Sequence, residues 1–182
     1  MRRMALLLLA TMVCIALPAF AQETKDAVKA VAAMPAPPKP LEDDFTKWML
    51  GEWEGTSTSP MGTSQDWQKV EMGLDDQFVM THYTSKMGEM MYKGMGPMTT
   101  NPETGEYVSY WFDNFRGMYK GTGKREGNKV TMTFTGPMGT ETRTMEKVSD
   151  DKFVVVFKSQ YPDGNVMEGR TEMTRKKMAT TK

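Results

Sequence analysis

From Gly51 onward nine turn signals punctuate the chain, and their spacing leaves room for strands and little else. They fall at Pro60–Gly62, Gly73–Asp76, Met87–Gly88, Asn101–Gly105, Phe115–Gly117, Arg125–Asn128, Gly136–Gly139, Ser149–Asp151 and Pro162–Asn165. Between them apolar residues alternate with a period of two, and segments such as Tyr107–Phe112 and Phe153–Phe157 are rich in strand formers. Intervals of roughly 10 to 15 residues exclude crossover helices, so consecutive strands must pair antiparallel. Nine turns delimit ten strands, and closing such a meander removes its exposed edges. The expected fold class is all-β: a roughly ten-stranded antiparallel meander barrel. A lumen of that girth is wider than the one side chains fill in an eight-stranded barrel.

A short helix is expected before the first strand. In Leu41-Glu-Asp-Asp-Phe45-Thr-Lys-Trp48-Met49-Leu50 the apolar positions fall at i, i+4, i+7 and i+8, after the breaker Pro40. Further upstream, Met1-Arg2-Arg3, the apolar run Met4–Leu17 and Pro18-Ala-Phe-Ala21 have the form of a secretory signal peptide cleaved before Gln22. Residues 22–40, with four prolines near their end and no periodicity, have the composition of a disordered tether. The expected organisation is therefore a signal peptide over 1–21, a tether over 22–40 and a barrel domain over 41–178, in a periplasmic or secreted protein.

Cys14, the one cysteine of the chain, lies inside the leader and lacks the small residues that precede a lipidated cysteine. The mature protein has no disulfide to rely on. Of the 23 basic residues Arg2 and Arg3 leave with the leader, so 21 remain against 23 acidic ones. That balance gives no basic field for nucleic acid. The apolar run is too short for a transmembrane anchor, and nothing comparable follows it.

The residues Leu50-Gly-Glu-Trp53-Glu-Gly55, Ser59-Pro-Met-Gly62, Gly88-Glu-Met-Met-Tyr92-Lys-Gly94 and Tyr110-Trp-Phe-Asp113, in this order and spacing, resemble the bacterial "domain of unknown function 1579" family over residues 41–177. The resemblance implies a calycin-like barrel and names no activity. A short helix followed by Gly51-x-Trp53 is also similar to the opening of lipocalins. In those barrels the tryptophan closes one end against an arginine of the last strand. On the last strand Met167, Thr171, Met173 and Arg175 share a face, which matches Arg175 rather than Arg170 to that structural role with Trp53. The nitrobindins, other calycin-like barrels, bind haem through a late histidine. No histidine follows His82, so that role does not carry over, and no cofactor is expected.

No nucleophile elbow, zinc motif, Walker loop or Cys-x-x-Cys is present. Carboxylate pairs such as Asp75/Asp76 fall in turns, where solvation explains them. The candidate ligand-binding residues are His82, Tyr83, Tyr92, Tyr110, Phe112, Arg116 and Arg143, a set suited to an amphipathic molecule bearing an acid group. Tyr110 and Phe112 share one strand face and Tyr107, Ser109 and Trp111 the other, and one of the two faces must line the lumen. Gly94, Gly96, Gly121 and Gly123 read as thin places in the wall, open to close approach by a ligand.

Met87, Met90, Met91, Met95 and Met98 crowd into twelve residues. They read either as adaptable packing or as a soft Cu(I) site, although strand parity sets Met90 and Met95 on opposite faces. The functional expectation is an exported, non-enzymatic module that binds a small apolar or amphipathic ligand in the barrel cavity. The alternatives are Cu(I) binding by the methionine cluster and an enzyme using His82 and Tyr83.

Overall fold

The computed structural model describes residues 38–177. The signal peptide expected over 1–21 and residues 22–37 of the tether expected over 22–40 lie outside the described residues. One helix, α1 (Asp44–Met49), precedes ten strands: β1 (Gly51–Ser59), β2 (Gly62–Gly73), β3 (Phe78–Met87), β4 (Met90–Thr100), β5 (Tyr107–Asp113), β6 (Met118–Glu126), β7 (Lys129–Gly136), β8 (Gly139–Ser149), β9 (Lys152–Gln160) and β10 (Val166–Arg175). Each strand pairs antiparallel with its neighbours in sequence, and β1 pairs with β10, so the sheet closes as a ten-stranded meander barrel. The ladder is regular except for a bulge at Lys147–Ser149, where one extra residue of β8 faces β9.

The helix is shorter than the sequence pattern, because Asp43 caps it. The Asp43 carboxylate accepts the backbone N–H of Thr46 at 3.0 Å and the Thr46 hydroxyl at 2.6 Å. Leu41 stays outside the helix and donates its N–H to the Asp76 carbonyl at 2.8 Å. Tyr107 and Arg125 also donate to Asp43, binding the helix start to β5 and β6. Burial would raise the Asp43 pKa, but the hydrogen bonds from Thr46, Tyr107 and Arg125 prevail and hold it below the ordinary carboxylate range.

Alternation sorts the core from the outer surface. Trp53, Val70, Val79, Tyr107, Val130, Met132, Phe153 and Met173 point inward and cluster with Leu41, Phe45 and Met49 around the helix. This cluster seals one end of the barrel. The turns after even-numbered strands lie at that end, as the bonds from Leu41 to Asp76 and from Trp48 to Asp150 show. The turns after odd-numbered strands lie at the opposite end, where there is no helix among the described residues.

Candidate functional site

The lumen changes character along the barrel axis. Beyond the sealed apolar end come Ser57, Ser64, Asp66, Tyr83, Tyr92, Trp111, Glu141, Arg143, Ser159 and Thr171, all on the inward parity of their strands. Asp66 is almost wholly buried, and Ser57 and Ser64 donate to it, the latter at 2.9 Å. The Ser57 hydroxyl also lies 2.6 Å from that of Thr171. Across the lumen, Glu141 accepts from Nε of Arg143 and from the Ser159 hydroxyl at 2.7 Å. Sequence reasoning missed Asp66 and Glu141, because carboxylates on strands are ordinarily solvated; the readable signal was their parity with Val70 and Arg143.

Arg143 is enclosed by protein, yet 41% of its side-chain surface is exposed. Both facts hold together when the exposed surface faces an interior space that water enters. Its terminal nitrogens have no acceptor among the described residues, and no described side-chain polar atom is both buried and unpartnered. Those nitrogens therefore look into the open part of the lumen. Burial opposes the Arg143 charge, but the Glu141 carboxylate outweighs it and pushes the guanidinium pKa up. Burial likewise pulls against Glu141, which Arg143 and Ser159 hold below its usual range.

Two phenols stand beside this pair. The Tyr92 hydroxyl accepts from Nε1 of Trp111 at 2.7 Å, and burial is the main reason its pKa is pushed up to about 12. Burial, reinforced by Asp66, drives Tyr83 higher still. The rings of Tyr83 and Tyr92 meet edge-on at 6.2 Å, and Trp111 lies 6.4 Å from Tyr83.

Tyr83, Tyr92 and Arg143 are thus brought together, and the other expected ligand-binding residues are not. His82, Tyr110 and Phe112 face outward, because Val79, Tyr83, Ser109 and Trp111 take the inward parity of β3 and β5. Arg116 sits in the β5–β6 turn with φ of 64°, outside the ladder. Glu141 pairs with Arg143, and Asp66 adds a second carboxylate to the lumen. The five clustered methionines divide between faces: Met91 and Met95 point out, while Met98 pairs with Val79 in the core. No single cation site gathers them.

The inward glycines are not openings for a ligand. A methyl group on Gly94 would stand 2.3 Å from the Trp111 ring, and one on Gly121 would stand 2.5 Å from Phe134. Gly96 and Gly123 lie against the backbone of Tyr110 and Thr131. The barrel's own rings occupy the space these glycines leave, the device that lets a curved strand carry an aromatic neighbour.

A concavity of about 580 Å³ lies on the outer wall over β1–β5. Its lining includes Trp67, Met95, Phe112 and His82, the amines of Lys69, Lys93 and Lys176, and the carboxylate of Glu52.

The architecture is that of a closed antiparallel barrel, sealed by a helix at one end and polar in the open half of its lumen. The chain belongs to the family described as "Protein of unknown function (DUF1579)", which matches residues 42–177. No curated protein matches it. Among solved structures it is similar to the S-type phycobiliprotein lyase CPES from Guillardia theta, at 7% identity and a TM-score of 0.58 over 74% of this chain and 92% of that one. A de novo designed fluorescence-activating β-barrel aligns at 17% identity and a TM-score of 0.44, over 74% of this chain and 99% of that one.

Proposed function

We propose that this chain is an exported, non-enzymatic binding protein that holds a small amphipathic molecule in the open half of its barrel. The observation that carries this reading is Arg143, whose terminal nitrogens stand unpartnered in a solvent-entered interior beside the phenols of Tyr83 and Tyr92. Donors fixed inside a ring of Trp111, Phe134 and Phe157 suit a ligand with an apolar body and one acceptor group. Because Glu141 balances Arg143 and Asp66 remains alongside, a neutral acceptor such as a carbonyl fits better than a carboxylate. The leader-like residues 1–21 support export, to the periplasm or beyond.

Native mass spectrometry of the protein purified from its own exported fraction tests this directly, and a retained, releasable small molecule is expected. In parallel, the neutral dye Nile red should bind with one-to-one stoichiometry. The joint substitution Arg143→Met with Glu141→Gln should weaken it about tenfold, the cost of a lost hydrogen bond to a charged donor. Absence of saturable dye binding together with no retained molecule would remove the reading.

A further inference from the structure

The outer surface of the barrel has two unlike sides. On β7–β10 the outward positions are largely threonine and paired charge. Thr131 faces Thr144 and Thr133 faces Thr142, and Lys158–Glu168, Lys152–Glu172 and Lys129–Glu146 form ion pairs at 2.8, 2.8 and 3.3 Å. On β3–β6 the outward positions include Met80, Met91, Met95, Pro97, Tyr110, Phe112 and Met118, interspersed with Lys86, Lys93, Lys120 and Lys124 and with His82, Thr84, Thr99 and Thr122. Before Glu126, at the far end of β6, none of these four strands carries an outward carboxylate. Among the described residues Lys86, Lys93 and Lys120 have no ion-pair partner, whereas Lys124 has Glu106.

These apolar groups are contiguous. Met95 stands directly across from Phe112, and Phe112 across from Met118, whose exposures are 42%, 43% and 66%. Tyr110 and Trp67 flank the row, at 45% and 42%. Lone exposed apolar residues are ordinary on protein surfaces, but a ladder of them across three neighbouring strands is not. The 580 Å³ groove overlaps this wall at β3–β5 and extends over β1 and β2, where Lys69 and Lys176 are paired with Glu71 and Glu52.

We propose that the β3–β6 wall is a docking surface for an anionic lipid membrane. Apart from Glu126 at the far end of β6, the charges on this wall without an ion-pair partner among the described residues are lysines, whose long apolar stems lie along a hydrophobic surface while the amine reaches phosphate. Protein interfaces are depleted in lysine and favour arginine, and none of the outward positions on these strands is arginine. Tyr and Trp rings suit the boundary between acyl chain and headgroup. Flexible methionines conform to a fluid partner without needing a complementary shape. The outward side chains of this wall do not enter the lumen, so the inference stands independently of ligand binding there.

Co-sedimentation of the exported chain with vesicles of phosphatidylglycerol and phosphatidylcholine tests it, against vesicles of phosphatidylcholine alone. Binding to the anionic vesicles is expected, weakening as salt screens the lysines. Lys93→Glu with Lys120→Glu, and separately Phe112→Ser with Met118→Ser, should each reduce it at least tenfold, with melting temperature and Nile red binding unchanged. Val156→Ser with Val166→Ser, on the opposite wall, should have no effect. The proposal is overturned if the wild-type chain fails to sediment with anionic vesicles, if it binds both vesicle types equally, or if the charge-reversed chain sediments like the wild type.

Discussion

The guanidinium of Arg175 lies 4.1 Å from the centre of the Trp53 ring, its direct cross-strand partner, and so joins the last strand to the first. Its Nη1 donates to the Leu50 carbonyl at 2.6 Å and its Nη2 to the Trp48 carbonyl at 2.7 Å. These are the carbonyls that the end of α1 leaves without intrahelical partners. One side chain therefore closes the barrel seam, covers the indole and finishes the helix.

Replacing the indole should be costly. Trp53 is 1% exposed and donates to the Met49 carbonyl at 2.8 Å, so Trp53→Ala should lose about 3–5 kcal/mol, as large-to-small core changes do. Arg175→Met keeps the apolar stem but strands the carbonyls, and about 1–3 kcal/mol is expected. Urea denaturation measures both, and a neutral result for Trp53→Ala would contradict the sealed-end packing.

Asp43 should mark the acid limb of stability. Its folded-state pKa lies below its ordinary value of 3.8, so the group contributes stability above about pH 4 that is lost as the pH falls through the lowered value. Asp43→Asn should cost about 1 kcal/mol or more near neutrality, by weakening the cap and the Arg125 contact. The gap between variant and wild type should close on acidification. Urea midpoints measured from neutral pH to about pH 2 give the comparison, and a gap that widened in acid would refute the assignment.

The Gly94–Trp111 contact predicts a conditional effect. Gly94→Ala places a methyl group 2.3 Å from the indole and should destabilise by about 1–3 kcal/mol. In a Trp111→Leu background the same change should be nearly silent. A double-mutant cycle reads the coupling, and additive effects would mean that the ring does not occupy that space.

Tyr92 offers an alkaline test of the lumen. Its phenol titrates near pH 12 when folded and near the ordinary value of 10.0 when exposed. Stability should therefore decline as the pH rises above about 10, where the unfolded chain ionises first. Ultraviolet titration of tyrosinate should show a late component that Tyr92→Phe reduces. Ionisation of that component near the ordinary value without unfolding would show the ring to be more open to bulk solvent than described.

The ten strands, their antiparallel order and the closure of the sheet were legible in the sequence, because turn residues and strand formers act over a few neighbours and short connections leave no other pairing. Alternation likewise fixed which residues of a strand share a face. It could not fix which face is inside. On β5 both faces are aromatic, and here the open half of the lumen is polar while one outer wall is apolar, so the usual contrast between inside and outside is reversed. Only closure of the barrel placed Trp111 inward and Phe112 outward, with His82 on the exterior and Asp66 inside. The Arg143–Glu141 pair shows parity alone: the sequence sets both residues on one face of β8, but their burial, their charge balance and the free terminal nitrogens follow from strands distant in sequence that curve around them. Parity is a local property of an extended backbone. Burial belongs to the closed sheet.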